Sequence, residues 1–255
     1  TFGLILTGMM LPLLYFFQSV YGLSPATATL RITPLVLSAA IFSPFVGMMM
    51  KSIGPRKVIA LGGLLMAVGS LVIALASIDS GYAALLFSLC LIGAGYLAVV
   101  TAVADVILSA LPRERAGSAA AVNAAAIQIG GAFGIVIFIS VFLGAARPEY
   151  FGRLASLGLP VDEIRLMTRS WRNAMQDSFA SGDRVLSEAV RDQFKVAWHY
   201  GFVAGINRIF ALSAVLSFIC SALVWFGVKP GVSRQKPSPK EEGDALHPML
   251  KRRPT

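Results

Sequence analysis

Charge is what this sequence has least of: 14% of its 255 residues are Asp, Glu, Lys or Arg, against about 25% in ordinary soluble domains. Acids are the scarcer sign, at 13 Asp and Glu to 22 Lys and Arg. Cysteine and histidine number two each. Cys90 and Cys220 stand in separate apolar runs, where a thiol behaves as a small hydrophobe, so they suggest neither a disulfide nor a zinc site. His199 and His247 fall outside the apolar runs. No cluster of His, Cys, Asp or Glu is therefore available at depth for a membrane-embedded enzyme. The phosphate loop G-x-x-x-x-G-K-[ST] is missing as well, so the residues offer no ATP site; neither a cofactor nor a metal is expected.

What fills the chain instead is apolar, 56% of it, and it reads as a membrane protein. A helix needs about 20 residues to cross the roughly 30 Å hydrocarbon layer. Apolar runs of that length lie at 2–21, 29–50, 57–77, 82–110, 117–145 and 202–227. Lipid offers the backbone no hydrogen-bond partners, so each run should be a helix, and the period-2 alternation of a membrane barrel is absent. The expected fold is all-α: five transmembrane helices in residues 1–146, an outer connection over 147–201, and a sixth span over 202–228. A Pro-rich, charged tail over 229–255 has the composition of a disordered segment. The first apolar run begins at Phe2 with no basic leader, so the chain reads as a piece of a longer one.

The short loops sort by their cations, which accumulate on the cytoplasmic side. Lys51, Arg56 and Lys57 follow the second run, Arg113 and Arg115 the fourth, and seven Lys or Arg the sixth, whereas YGLSPATAT and SIDSGY carry none. This places the start, the basic turns and the C-terminus in the cytoplasm of a cell-membrane protein. It also accounts for the net charge of +9 without a nucleic-acid partner. The 147–201 connection disagrees, with eight Lys or Arg on the outer side, although seven acids nearly balance them. Within it Ile164, Met167, Trp171, Met175 and Phe179, then Leu186, Val190, Phe194 and Ala197, recur at helical spacing. An outer amphipathic helical hairpin turning near Gly182 is expected, covering an exit vestibule or lying against protein or the membrane interface.

The stretch GMMMKSIGPRKV reads as a tight cytoplasmic turn. Gly47 lets helices approach, Gly54 permits a backbone conformation costly to other residues, and Pro55 fixes φ for a helix start. The spacing of Gly47, Gly54, Arg56 and Lys57 resembles the Gly-x-x-x-Asp-x-x-Gly-x-Arg-Arg/Lys loop of the major facilitator superfamily, in the weaker copy found in its C-terminal half. Lys51 stands where the acid would be, and Pro55 replaces a position that is usually basic. YGLSPATATLRITPLVLSAAIFSPFVG and LPRERAGSAAAVNAAAIQIGGAFGIVIF resemble the fourteen-span drug:proton antiporter branch, which also has a long outer connection before its last helix. The resemblance implies that the chain is the C-terminal six-helix half of a transporter, lacking its N-terminal half. Such halves contain nested inverted repeats and rock about a midplane site. It further implies export of lipophilic, often cationic small molecules in exchange for protons. A carrier for another small solute, or a non-transporting scaffold or half-unit, is the alternative.

Asp105 is the lone acid inside a span, where a carboxylate costs roughly 2.5–3.5 kcal/mol on insertion scales. With Thr101 and Ser109 it forms an i, i+4, i+8 stripe near the cytoplasmic end. The resemblance implies a gating latch in which Asp105 pairs with Arg56, Arg113 or Arg115 beside Lys51. Carriage of the coupling proton, or snorkelling to interfacial water, are the other readings. Thr7, Tyr15 and Gln18 share a narrow sector of the first helix around Pro12, which suits a substrate passage or contacts with neighbouring helices. Gln128 is a cavity-lining candidate on the fifth helix. Gly130 and Gly134 make a G-x-x-x-G step for close helix packing.

Overall fold

The computed structural model describes residues 1–75, 82–109, 112, 115–156 and 188–227. Among them are six α-helices and no strand: α1 (Phe2–Ser19), α2 (Pro25–Ile53), α3 (Pro55–Ala74), α4 (Tyr82–Ser109), α5 (Ala116–Ser156) and α6 (Glu188–Gly227). All six are long and apolar enough to cross a membrane.

Local chemistry sets several helix ends. Ser24 caps α2, its Oγ accepting from the Thr27 backbone N–H at 3.3 Å, and Pro25 follows in the first turn, where its missing N–H costs nothing. Gly54 alone separates α2 from α3. Its φ of +82° lies in the region that β-carbons disfavour, and Pro55 starts α3 directly after it. The expected tight turn is therefore a one-residue junction.

The helices form a ring in the order α2, α4, α3, α6, α5, α1, with lighter contact between α1 and α2 closing it. Small residues bring the backbones together at each main crossing. A β-carbon on Gly62 of α3 would lie 2.7 Å from the Gly95 carbonyl oxygen of α4, and one on Gly95 would lie 2.5 Å from the Gly62 oxygen. Where α2 crosses α4, a β-carbon on Gly93 would overlap the Leu35 carbonyl. Where α1 crosses α5, one on Gly134 would overlap the Leu4 carbonyl. Without water to drive helices together, such packing supplies much of the attraction in lipid.

Between the helices run two apolar clusters. The larger joins Ile5, Met9, Leu13 and Phe17 of α1 to α4, α5 and α6. The smaller joins Val46, Val58, Ile59 and Val99 with Phe2, Ile53 and Val224 packed against it. It gathers the start of α1, the α2–α3 junction and the last turns of α6 at one end, called here the basic end because Lys51, Arg56 and Lys57 lie there.

At the far end α5 and α6 run straight through residues 147 and 202, the edges expected for the outer connection. The 41 residues of α5 measure about 60 Å, twice the hydrocarbon thickness. Loss of apolar character at Arg147, Pro148 and Glu149 marks departure from lipid, but a helix continues in water if it is packed. The packing is aromatic: buried Tyr150 meets Trp198 of α6 edge-on at 5.8 Å, Trp198 meets Phe202 at 5.0 Å, and Phe202 meets Phe142 at 5.0 Å. The backbone over 188–197, part of the expected second amphipathic helix, thus joins α6 without a break, and Ala197 is buried, whereas Leu186 and the turn expected near Gly182 lie outside the described residues. The expected first helix, Ile164–Phe179, and the tail over 229–255 lie outside the described residues.

Candidate functional site: the polar face of the bundle

Side chains that the bundle leaves exposed differ from helix to helix. On α3 between Leu61 and Leu75 they are Leu61, Leu64, Leu65, Val68, Leu71 and Leu75, all apolar. On α6 from Val215 to Phe226 they are again apolar, Val215, Phe218, Ile219 and Leu223 among them. Both surfaces suit hydrocarbon. On α1, α4 and α5 exposed polar groups recur: Thr7 and Tyr15, then Thr101, Asp105 and Ser109, then Gln128. A polar side chain facing lipid is costly, so these mark where the bundle meets water or other protein.

Thr7 meets α5 at Gly131, one turn from Gln128. A β-carbon on Gly131, one turn beyond Gln128, would lie 3.0 Å from Thr7 Oγ1, so the Thr7 hydroxyl rests on α5 beside the Gln128 turn. Tyr15 stands two turns further along α1 and is 43% exposed, and its ring is free to meet a ligand. Gln18 differs from its sequence expectation: it is half-buried and its Nε2 donates to the Leu14 carbonyl of its own helix at 3.4 Å.

The basic end revises the latch. Arg56 does not reach Asp105; its guanidinium donates to the Trp225 carbonyl and lies 5.9 Å from the Trp225 ring. Carbonyls in the last turn of a helix lack intrahelical donors and carry partial negative charge, so Arg56 ties the start of α3 to the end of α6. Sequence reasoning missed this because Trp225 offers a backbone group, which no motif announces. Asp105 is exposed and makes no ion pair among the described residues; Lys51 and Arg115 are exposed too, and Arg113 lies outside those residues. Gly47, expected at a close approach, has open space around its α-carbon, and Gly130 meets Leu4 only at ordinary contact distance, 3.6 Å.

A second polar feature was also missed. Ser213, Ser217 and Ser221 recur every fourth residue on α6 and are buried. Ser213 Oγ hydrogen-bonds Ser70 Oγ of α3 at 2.9 Å, and Ser221 Oγ donates to the Ala60 carbonyl at 2.5 Å. The i, i+4, i+8 spacing was a readable signal.

An all-helical, multi-pass membrane protein with an apolar surface on α3 and α6 and exposed polar groups on α1, α4 and α5 is the class these features define. The family model for the Major Facilitator Superfamily matches residues 1–135, more than half of the chain, and the chain belongs to that family. It is 24% identical to the Tetracenomycin C resistance and export protein of Streptomyces glaucescens over 235 residues, covering 88% of this chain and 41% of that protein. It is 36% identical to the Multidrug resistance protein Stp of Mycobacterium tuberculosis over 134 residues, covering 52% of this chain and 25% of that protein. The chain thus spans about two fifths of the length of the first relative and a quarter of the second.

Proposed function

We propose that this chain forms the C-terminal six-helix half of a proton-coupled exporter of lipophilic or cationic compounds that works by alternating access. Two relatives named for drug resistance or export support the export of drugs. The observation that carries the mechanism is the polar face itself. Thr7, Tyr15 and Gln128 stand exposed on adjoining helices, whereas the exposed side chains of α3 beyond Leu61 and of α6 beyond Val215 are apolar, an arrangement suited to a passage walled on its opposite side by a second half.

Asp105 is the carboxylate available to this half within its spans. With Arg56 held by Trp225, Asp105 either takes up the coupling proton or meets a cation of the α4–α5 connection, Arg113 or Arg115, when the basic end closes. The basic end faces the cytoplasm in this reading, as the distribution of cations favours.

The intact protein in everted vesicles tests it. Under an imposed pH gradient, uptake of a lipophilic cationic dye should require the gradient. Asp105→Asn should abolish gradient-driven turnover, and Tyr15→Ala should raise the half-saturating dye concentration by about tenfold, as loss of an apolar contact in a pocket does. Undiminished coupling in Asp105→Asn would remove that residue from the mechanism. Transport of no lipophilic cation, with gradient-driven transport of another solute, would reassign the substrate class.

A further inference from the structure

The transport reading uses the polar face and leaves two exposed lysines at the rim of the basic end without a role. There the junction between α2 and α3 presents Lys51 in the last turn of α2 and Lys57 in the first turn of α3, both exposed. Residues 47–59 contain no acid. Nor does Asp105, the acid on the neighbouring helix, make an ion pair with a described residue. Arg56, between the two lysines in sequence, is committed to Trp225, and that contact holds the last turn of α6 beside the junction.

Directly along each helix from these cations lies exposed apolar surface. Phe45 and Met48 precede Lys51 on α2, exposed at 52% and 58%; Leu61 and Leu64 follow Lys57 on α3; and Ile219 and Leu223 precede Trp225 on α6, exposed at 47% and 66%. Cations at a water boundary above an apolar wall, with Trp at the same level, match the two ends of a phospholipid. The phosphate would meet the lysines and the acyl chains would lie against the adjoining faces of α3 and α6. Aromatic residues prefer that boundary, and lysines there attract anionic headgroups. Gly54 has no side chain to cap α3, so N–H groups of its first turn add donors on the same side.

We infer that the α2–α3 junction is a binding site for the headgroup of an anionic glycerophospholipid, held by Lys51 and Lys57 and bounded by Trp225. The occupant is a lipid and not free phosphate, because the exposed apolar residues below the cations have no use for a soluble anion. Arg56 acts as a positioning residue that fixes Trp225 as one wall.

Native mass spectrometry of the intact protein, released from nanodiscs of equal phosphatidylglycerol and phosphatidylcholine, reads the site directly. Phosphatidylglycerol should be retained in preference. The doubly substituted Lys51→Gln/Lys57→Gln protein should lose that preference by about fivefold per lysine, while Lys51→Arg/Lys57→Arg keeps it. Lys57→Gln alone gives the same reading at one exposed position should the pair not yield folded protein. Unchanged preference in a folded Gln variant overturns the site, as does equal retention of phosphatidylcholine by the unaltered protein. Complete displacement of phosphatidylglycerol by excess inorganic phosphate overturns the lipid as occupant.

Discussion

Gly130 and Gly134 stand one turn apart on α5 and belong to one G-x-x-x-G step, yet their surroundings separate them. A methyl group on Gly134 would overlap the Leu4 carbonyl of α1, and one turn along α1 a β-carbon on Gly8 would sit 2.7 Å from the Gly134 carbonyl oxygen. Backbone cannot yield as a side chain can. Gly134→Ala should therefore destabilise the protein by about 1–3 kcal/mol, the usual cost of overpacking, and Gly130→Ala should change stability by less than about 0.5 kcal/mol. Thermal unfolding of both variants in one detergent checks the contrast; equal losses would mean that the α1–α5 crossing is looser than its geometry. The motif was legible in the sequence, but its unequal use was not, because spacing places residues on a helix without stating what faces them. Gly47 shows the same limit, for it carries the family's spacing and a β-carbon on it would meet nothing within 4 Å. Gly54 was the readable glycine, since Pro directly after it and cations around it point to a junction whatever the tertiary packing.

Elements were legible where one physical requirement dominates. Hydrocarbon demands about 20 apolar residues and an internally bonded backbone, and all six spans follow from that alone. The same requirement says nothing about where a helix ends once it has left the lipid, so α5 and α6 outrun their expected edges on the strength of Tyr150, Trp198 and Phe202. It is also silent on polar contacts between helices, which need a partner from elsewhere in the chain. The serine ladder of α6 is such a contact, 143 residues from its α3 partner at the Ser70–Ser213 bond. A double-mutant cycle on Ser70→Ala and Ser213→Ala should give a coupling near 0.6 kcal/mol and below about 1.7 kcal/mol, the range of such bonds within membranes. So small a value would make the ladder a means of fixing the rotation of α6 against α3. The apolar faces of both helices then stay turned outward. A coupling of zero would leave the close fit of Gly63 against Ser221 to set that rotation.

For the whole molecule, the decisive property is the unequal character of its surface. Hydrocarbon and water exert opposite demands on a side chain, and the ring order puts α3 and α6 side by side, so their exposed leucines and valines form one continuous apolar region. Thr7, Tyr15 and Gln128 fall on the adjoining pair α1 and α5. Single cysteines at Val68 and Tyr15, introduced into the intact protein after Cys90→Ala and Cys220→Ala, separate the two environments. A membrane-impermeant maleimide should modify the cysteine at Tyr15 and leave that at Val68 untouched, whereas a lipid-soluble maleimide should find Val68. Added lipophilic cation should slow modification at Tyr15 alone, since only a side chain lining the passage is shielded by its occupant. Modification of Val68 from water, with Tyr15 reached only through lipid, would invert the assignment of surfaces and leave the exposed tyrosine as a contact between helices and not a wall of the passage.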